Sequence, residues 1–357
     1  MSEGDYLFIV QQEIIDWLLE DSEQPVRYLT LVKILEKQEN DSEVISAKKT
    51  IMDYLPIKTI LKKQIDNSYW FENGKAKNYK KYLGTFWQLI FLSEMQAQKN
   101  EQISNAIEHI FNTGQAANGG FSVSGTNSYS ITCLTSNILK MLIYFGYLED
   151  ERTQNALEYL LKNYVDSYGK IRCQTLGLVE NCYMTLPKIV YALSAIPADK
   201  RDERINLGIQ IATKRMLDNQ IFHYMPSLNK EWLSYAAQRK LKGVEFIEER
   251  KKYLADHPNI EKIPKSSWMK FGFPLSYTSD ALDAMRALAS AEIPYHENML
   301  PYLELIKEKS KAGKWIKERK FNSPMYSEIE AHKSESKWIT LHALSVIKYY
   351  EGIKIEN

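Results

Sequence analysis

Residues Ser130–Phe145 read SITCLTSNILKMLIYF. Ile131, Leu134, Ile138, Met141, Leu142 and Phe145 recur at intervals of three and four, the period of an amphipathic helix. Gly146 follows, the residue best able to take the left-handed backbone that stops a helix. A second helix is expected from Asp150, with Ala156, Leu157, Leu160 and Leu161 on one stripe, running out at Asp166-Ser167-Tyr168-Gly169. This unit of apolar helix, short turn, amphipathic helix and closing turn is a helical hairpin.

Working outward, the same unit recurs. Tyr82–Met95 leads to a helix near Gln102–Phe111 and the turn Gln115-Ala116-Ala117-Asn118-Gly119-Gly120-Phe121. Cys182–Ile196 leads to Arg204–Leu217 and Ile221-Phe222; Ser279–Ser290 leads to Asn298–Lys309 and Gly313-Lys314-Trp315. Arg27–Lys37 leads to Glu43–Lys62, interrupted by Pro56, and Tyr69-Trp70-Phe71. Gly84, Cys133 and Cys182 keep a step of 49. Helices near Asp5–Glu20 and Trp338–Tyr350 each lack a partner, so pairing them closes a ring of six hairpins and covers the apolar faces that an open stack exposes. The expected fold is therefore all-α, an (α/α)6 barrel forming a single domain over 1–357. Residues 228–267 break the rhythm with charged, helix-prone sequence around Val244–Leu254; they read as an insertion, either a surface elaboration or a lid.

Composition agrees. Gly (15) and Pro (11) are scarce, against a loop-rich β fold. With 46 Lys+Arg against 45 Asp+Glu, the whole molecule has no electrostatic grip on nucleic acid. The first residues lack the basic and apolar regions of a secretory signal, and no apolar run of about 18 residues suggests a transmembrane helix. Three cysteines fit a reducing compartment, and a cytoplasmic location is expected. GxxxxGK[ST], HExxH, GxSxG and CxxC motifs are all missing.

The closing turns QAANGGF (Gln115–Phe121), SYGKI (Ser167–Ile171) and KAGKW (Lys311–Trp315) resemble degenerate QW repeats of squalene–hopene cyclases. With Cys133–Leu161, Trp268–Leu288 and Ser336–Tyr350, they make the chain similar to the terpenoid cyclase/protein prenyltransferase α/α-toroid superfamily from about Pro25 onward. The resemblance implies six inner and six outer helices around an apolar cavity that holds an isoprenoid or similar apolar small molecule. Trp87, Tyr129, Tyr183, Tyr277 and Trp338 lie on or just before the inner helices and are candidate substrate-binding residues; packing between hairpins is the plainer reading.

The family's catalytic sets are not intact. There is no DxDD. The nearest acids are Asp280 and Asp283 in YTSDALDAM, spaced to share a helical face; Asp280 is a candidate general acid if buried, or simply the cap of its helix. The prenyltransferase zinc set lacks its Asp-x-Cys pair, leaving His342 in WITLHALSV as a candidate. Cys133, Cys173 and Cys182 fall at one end of adjacent hairpins, and Asp218 or His223 could complete a zinc site; three buried thiols are the alternative. The expected function is a prenyltransferase- or cyclase-like enzyme. The alternative is a non-catalytic toroid binding a lipid, peptide or protein, with any metal structural.

Overall fold

The computed structural model describes residues 7–71, 78–123, 129–171, 182–224, 226–257, 261–275 and 277–356. The chain opens with β1 (Phe8–Gln11) and α1 (Gln12–Leu18), followed by α2 (Gln24–Leu29), which continues as a π-helical turn through Ile34, and by α3 (Ser42–Thr50) and α4 (Leu55–Lys62). The break between the last two falls at Tyr54, because Pro56 suits only the first turn of a new helix. Three pairs follow: α5 (Thr85–Glu94) and α6 (Glu101–Gly114), α7 (Thr132–Tyr144) and α8 (Glu151–Leu160), α9 (Leu186–Ser194) and α10 (Glu203–Asp218). After β2 (His223–Tyr224) come α11 (Pro226–Gln238), α12 (Gly243–Asp256) and β3 (Ile263–Pro264). The chain ends with α13 (Ala281–Ser290), α14 (Leu300–Glu308), β4 (Trp315–Ile316), β5 (Glu335–Ser336), α15 (Lys337–Glu351) and β6 (Ile353–Glu356).

Two kinds of helix alternate, as their side chains dictate. Helices α5, α7, α9, α13 and α15 are buried on nearly every face, polar positions included. Helices α6, α8 and α10 bury only a stripe, such as Ile205, Ile209, Ala212 and Met216 of α10, and each opens on an Asn or Asp whose side chain accepts a first-turn N–H: Asn100, Asp150 and Asp202. The fully buried helices pack in chain order, α5 on α7, α7 on α9, α9 on α13 and α13 on α15, and α15 returns to α2. Each amphipathic helix lies against the buried helix before it.

The closing turns repeat a single device. The backbone N–H of Trp70, Phe121 and Trp315 donates to the hydroxyl of Thr85, Thr135 and Thr340, at 3.2, 2.9 and 3.0 Å. The indoles of Trp70 and Trp315 donate back to Ile60 and Ile306. Gln115 donates to Gly119 and to the Arg152 carbonyl in the first turn of the next amphipathic helix, both at 2.7 Å. Gly119 has φ +89°, and a Cβ there would lie 2.3 Å from the Asn155 carbonyl oxygen of α8. Gly313, φ +78°, sits in the same way against Ile14 of α1. Helix α1 thus takes the place after the last closing turn that α8 takes after an earlier one.

One expectation is corrected. The N-terminal segment is not helical throughout: Phe8–Gln11 is a strand that pairs in parallel with Ile353–Glu356, so the last strand fixes the first. Within residues 228–267 a helix stands where one was expected around Val244–Leu254, as α12; α11 and α12 make a hairpin with its own aromatic cluster of Trp232, Phe246, Tyr235 and Tyr253, apart from the main core and tied at its base by the β2–β3 ribbon.

Candidate functional site

A cavity of about 210 Å³ opens where α5, α7, α9 and α13 end, and side chains from α2 through its π-helical turn, α5, α7, α9, α13 and α15 all line it. Its ionisable members are Lys33, Glu94, Lys140, Arg286 and His342. Lys140, in the apolar run of α7, holds the Glu94 carboxylate and lies 4.3 Å over the Tyr191 ring. Burial pushes the Glu94 carboxyl up, but the Lys140 and Arg286 cations outweigh it and hold the group below the usual carboxylate range. Lys33 is exposed at the cavity, and desolvation by the nearby protein, with the charges of Arg286 and Lys140, lowers its ammonium to about 8. Among the described residues, neither Lys33 nor Arg286 forms an ion pair within hydrogen-bond reach. Burial, then the same cations, hold His342 far below its ordinary range, so it is a neutral imidazole.

One helical turn below the cavity, three residues earlier on α9 and α13, Lys188 and Asp283 form a buried ion pair at 2.9 Å, their side chains 5% and 6% exposed. Tyr191 donates to the Asp283 carbonyl. Burial raises the Asp283 carboxyl, and Lys188 with Arg286 more than reverses it. A further three residues down, Asp280 caps α13: one carboxylate oxygen accepts from the Asp283 N–H at 2.8 Å and the other from the Gly272 N–H at 3.0 Å. Its pKa rises to about 7, first through burial and then through the Asp283 charge.

The expected aromatic residues divide. Trp87 is buried, donates to the Tyr79 carbonyl at 3.1 Å, and packs on Tyr79 and Tyr277 at 5.0 and 5.7 Å. Trp338 stacks on Phe273 at 4.1 Å, with His342 at 5.8 Å. Tyr183 meets Phe222 edge to face. Tyr129 is 65% exposed and stands at the surface, so it does not line a packed interior. Cys133 and Cys182 are half-buried at the starts of α7 and α9, and Cys173 lies outside the described residues. Asp218 is exposed and paired with Lys214, while His223 Nδ1 lies 3.0 Å from both the Gln220 carbonyl and the Tyr302 hydroxyl. Among the described residues no three His, Cys, Asp or Glu side chains gather to hold a metal; Cys173, one of the expected ligands, lies outside them.

The cavity charges escape a motif search because they belong to no motif. Their signal is a lone ion inside an otherwise apolar helix: Lys140 in NILKMLIYF, Lys188 in TLPKIVYAL, Arg286 in ALDAMRALAS. No protein-family model matches the chain, and no curated protein matches its sequence.

Proposed function

We propose that the chain is an α/α toroid of six hairpins whose axial cavity binds a small molecule with a negatively charged head. The toroid reading is supported by the chain-order packing of the buried helices, by the return of α15 to α2, and by the repeated turn contacts that give α1 the role of an outer helix. The observation that carries the ligand reading is the pair of cations, Lys33 and Arg286, facing one cavity without an ion-pair partner among the described residues. Helix carbonyl ends converge there too, but their partial charges act only within the last turn and leave two full positive charges to be met. At about 210 Å³ the cavity is smaller than the roughly 300–1,000 Å³ of drug-sized sites, so it suits a phosphate, diphosphate or carboxylate group and little more. Prenyl diphosphates, the substrate class implied by the family resemblance, carry such a head.

Calorimetric titration with inorganic phosphate, pyrophosphate and farnesyl diphosphate tests this. Pyrophosphate is expected to bind, at least tenfold more weakly in Arg286→Met, and more weakly above pH 8 as Lys33 loses its proton. Absence of binding by all three probes, or equal binding by the variant, removes the proposal. Turnover is a second reading, favoured by the Asp280 pKa near 7. Against it, both Asp280 oxygens already accept backbone N–H groups. Conversion of farnesyl diphosphate that Asp280→Asn abolishes would favour the enzyme; binding without product favours the binding protein.

A further inference from the structure

Between β4 and β5 the chain leaves on an excursion, residues 317–334. Its two limbs are tied at the root. The Lys317 N–H donates to the Ser334 carbonyl and the Lys333 N–H to the Lys317 carbonyl, at 3.0 and 2.8 Å, and His332 Nε2 donates to the Glu318 carbonyl at 3.1 Å. The outgoing limb is also fixed to the core. The N–H groups of Glu318 and Arg319 both donate to the Phe271 carbonyl ahead of α13, and Phe321 stands edge-on to Tyr82 at 4.7 Å. Gly272 allows this approach, since a Cβ there would lie 2.8 Å from that of Arg319. Both limbs line a pocket of about 260 Å³: Lys317, Arg319, Lys320 and Phe321 come from the outgoing limb, Met325 and Glu328 from further along. Because the excursion is tied to itself and to the core, the pocket is held open rather than left to a free loop.

The charges lining it do not balance. Lys317 is 2% exposed, yet its ammonium donates to a neutral oxygen, the Glu330 carbonyl, at 2.6 Å, and lies 5.7 Å from the centre of the Phe321 ring. The Arg319 guanidinium also meets neutral oxygens, the Thr278 hydroxyl and the Ser279 carbonyl, at 3.2 and 3.1 Å. Lys320 is exposed. Among the described residues none of the three forms an ion pair. The acids around them are engaged elsewhere: Glu318 holds Lys309 and the Phe271 N–H, the Glu330 carboxyl accepts from Ser336 and Trp338, and Glu23 accepts from Tyr54. Glu328 is the acid that lines the pocket, so three cations against one carboxylate leave two positive charges to be met. A buried cation without a counter-charge is costly to keep, which marks Lys317 as built for a ligand.

We propose that this pocket is a binding site for a small phosphate monoester, its head held by Lys317, Arg319 and Lys320 and its organic part lying against Phe321 and Met325. A phosphate monoester carries close to two negative charges at neutral pH and three strong acceptor oxygens, which matches the two uncovered charges and the spare donors of a guanidinium and two ammonium groups. A carboxylate or a phosphate diester carries one charge and covers half of them. Phe321 and Met325 are half-buried beside the cations and give the pocket an apolar wall that a bare inorganic ion leaves unused. The volume falls just under the roughly 300–1,000 Å³ of drug-sized sites, room for a phosphate and one ring. The site stands apart from the cavity of Lys33 and Arg286: Arg319 reaches the residues ahead of α13, and Arg286 lies near the other end of that helix.

Calorimetric titration with phenyl phosphate, methyl phenyl phosphate and inorganic phosphate tests this. It is run on the Arg286→Met protein, so that binding at the other cavity is weakened and the two sites fail or hold separately. Phenyl phosphate is expected to bind at one site, at least fivefold tighter than the diester or the inorganic ion. Lys317→Met and Lys320→Glu, each added to that background, should weaken it at least tenfold. No binding of phenyl phosphate, equal binding of the diester or of inorganic phosphate, or undiminished binding in Lys320→Glu overturns the proposal. Should Lys317→Met fail to fold, Lys320→Glu decides alone, because that side chain is exposed and holds no ion pair among the described residues.

Discussion

Asp280 unites the two readings that its sequence left open, a cap and a buried acid. It is fully buried because it caps a helix inside the protein, and its pKa is raised because of that burial and the neighbouring Asp283. A carboxyl whose folded pKa lies near 7, against about 4 unfolded, contributes stability that is full below pH 4 and is lost as pH rises through 7. Chemical denaturation from pH 4 to 8 should show this slope in the wild type and flatten it in Asp280→Asn; parallel curves would discount the raised pKa. Asp280→Ala should cost roughly 0.5–2 kcal/mol for the lost cap alone. The Lys188–Asp283 pair sets a larger scale. Lys188→Met leaves the Asp283 charge buried and should cost about 3–5 kcal/mol, while adding Asp283→Leu should recover most of it. Equal loss in the single and double variants would show that packing, not charge, dominates there.

The hairpins were legible because each closing turn is local. Gly119, Gly169 and Gly313 marked the turns in sequence, and all three take positive φ. The lock beneath each turn was less legible, though a signal was present: Thr85, Thr135 and Thr185 recur at 50 residues, and each is buried at the start of its helix. The partners of Thr85 and Thr135 are backbone N–H groups, which leave no trace in composition. Thr135→Val keeps the shape but leaves the Phe121 N–H buried without its acceptor, at a cost of about 1–3 kcal/mol. A change below 0.5 kcal/mol by denaturant titration would show that the turn does not depend on it. The terminal strands escaped the sequence for the opposite reason, since a four-residue strand pairing across the whole chain has no periodic signal, whereas the helix expected around Val244–Leu254 is there as part of the α11–α12 hairpin. Because that hairpin carries its own cluster, replacing 226–262 with a short glycine-serine loop should leave the melting temperature within a few degrees. A drop above 10 °C would mean that its base supports the main core.

Across the molecule, buried charge gathers along the facing sides of α9 and α13. Where an apolar lining was expected, the column from mouth to base carries Arg286, Lys188, Asp283 and Asp280. Sequence reading picked out Trp87, Asp280, Trp338 and His342, all of them buried because burial follows helical period, and also Tyr129, which is exposed. It passed over the upper part because an ion in an apolar helix reads as an exception until neighbouring helices bring several together. The N-terminal strand has another consequence, this one in time. Phe8 aligns with Ile353, so on the ribosome the first strand is made long before its partner exists. At ordinary rates of synthesis it waits roughly 20–70 s with an unpaired edge exposed, a window in which chaperones or a neighbouring nascent chain compete for it.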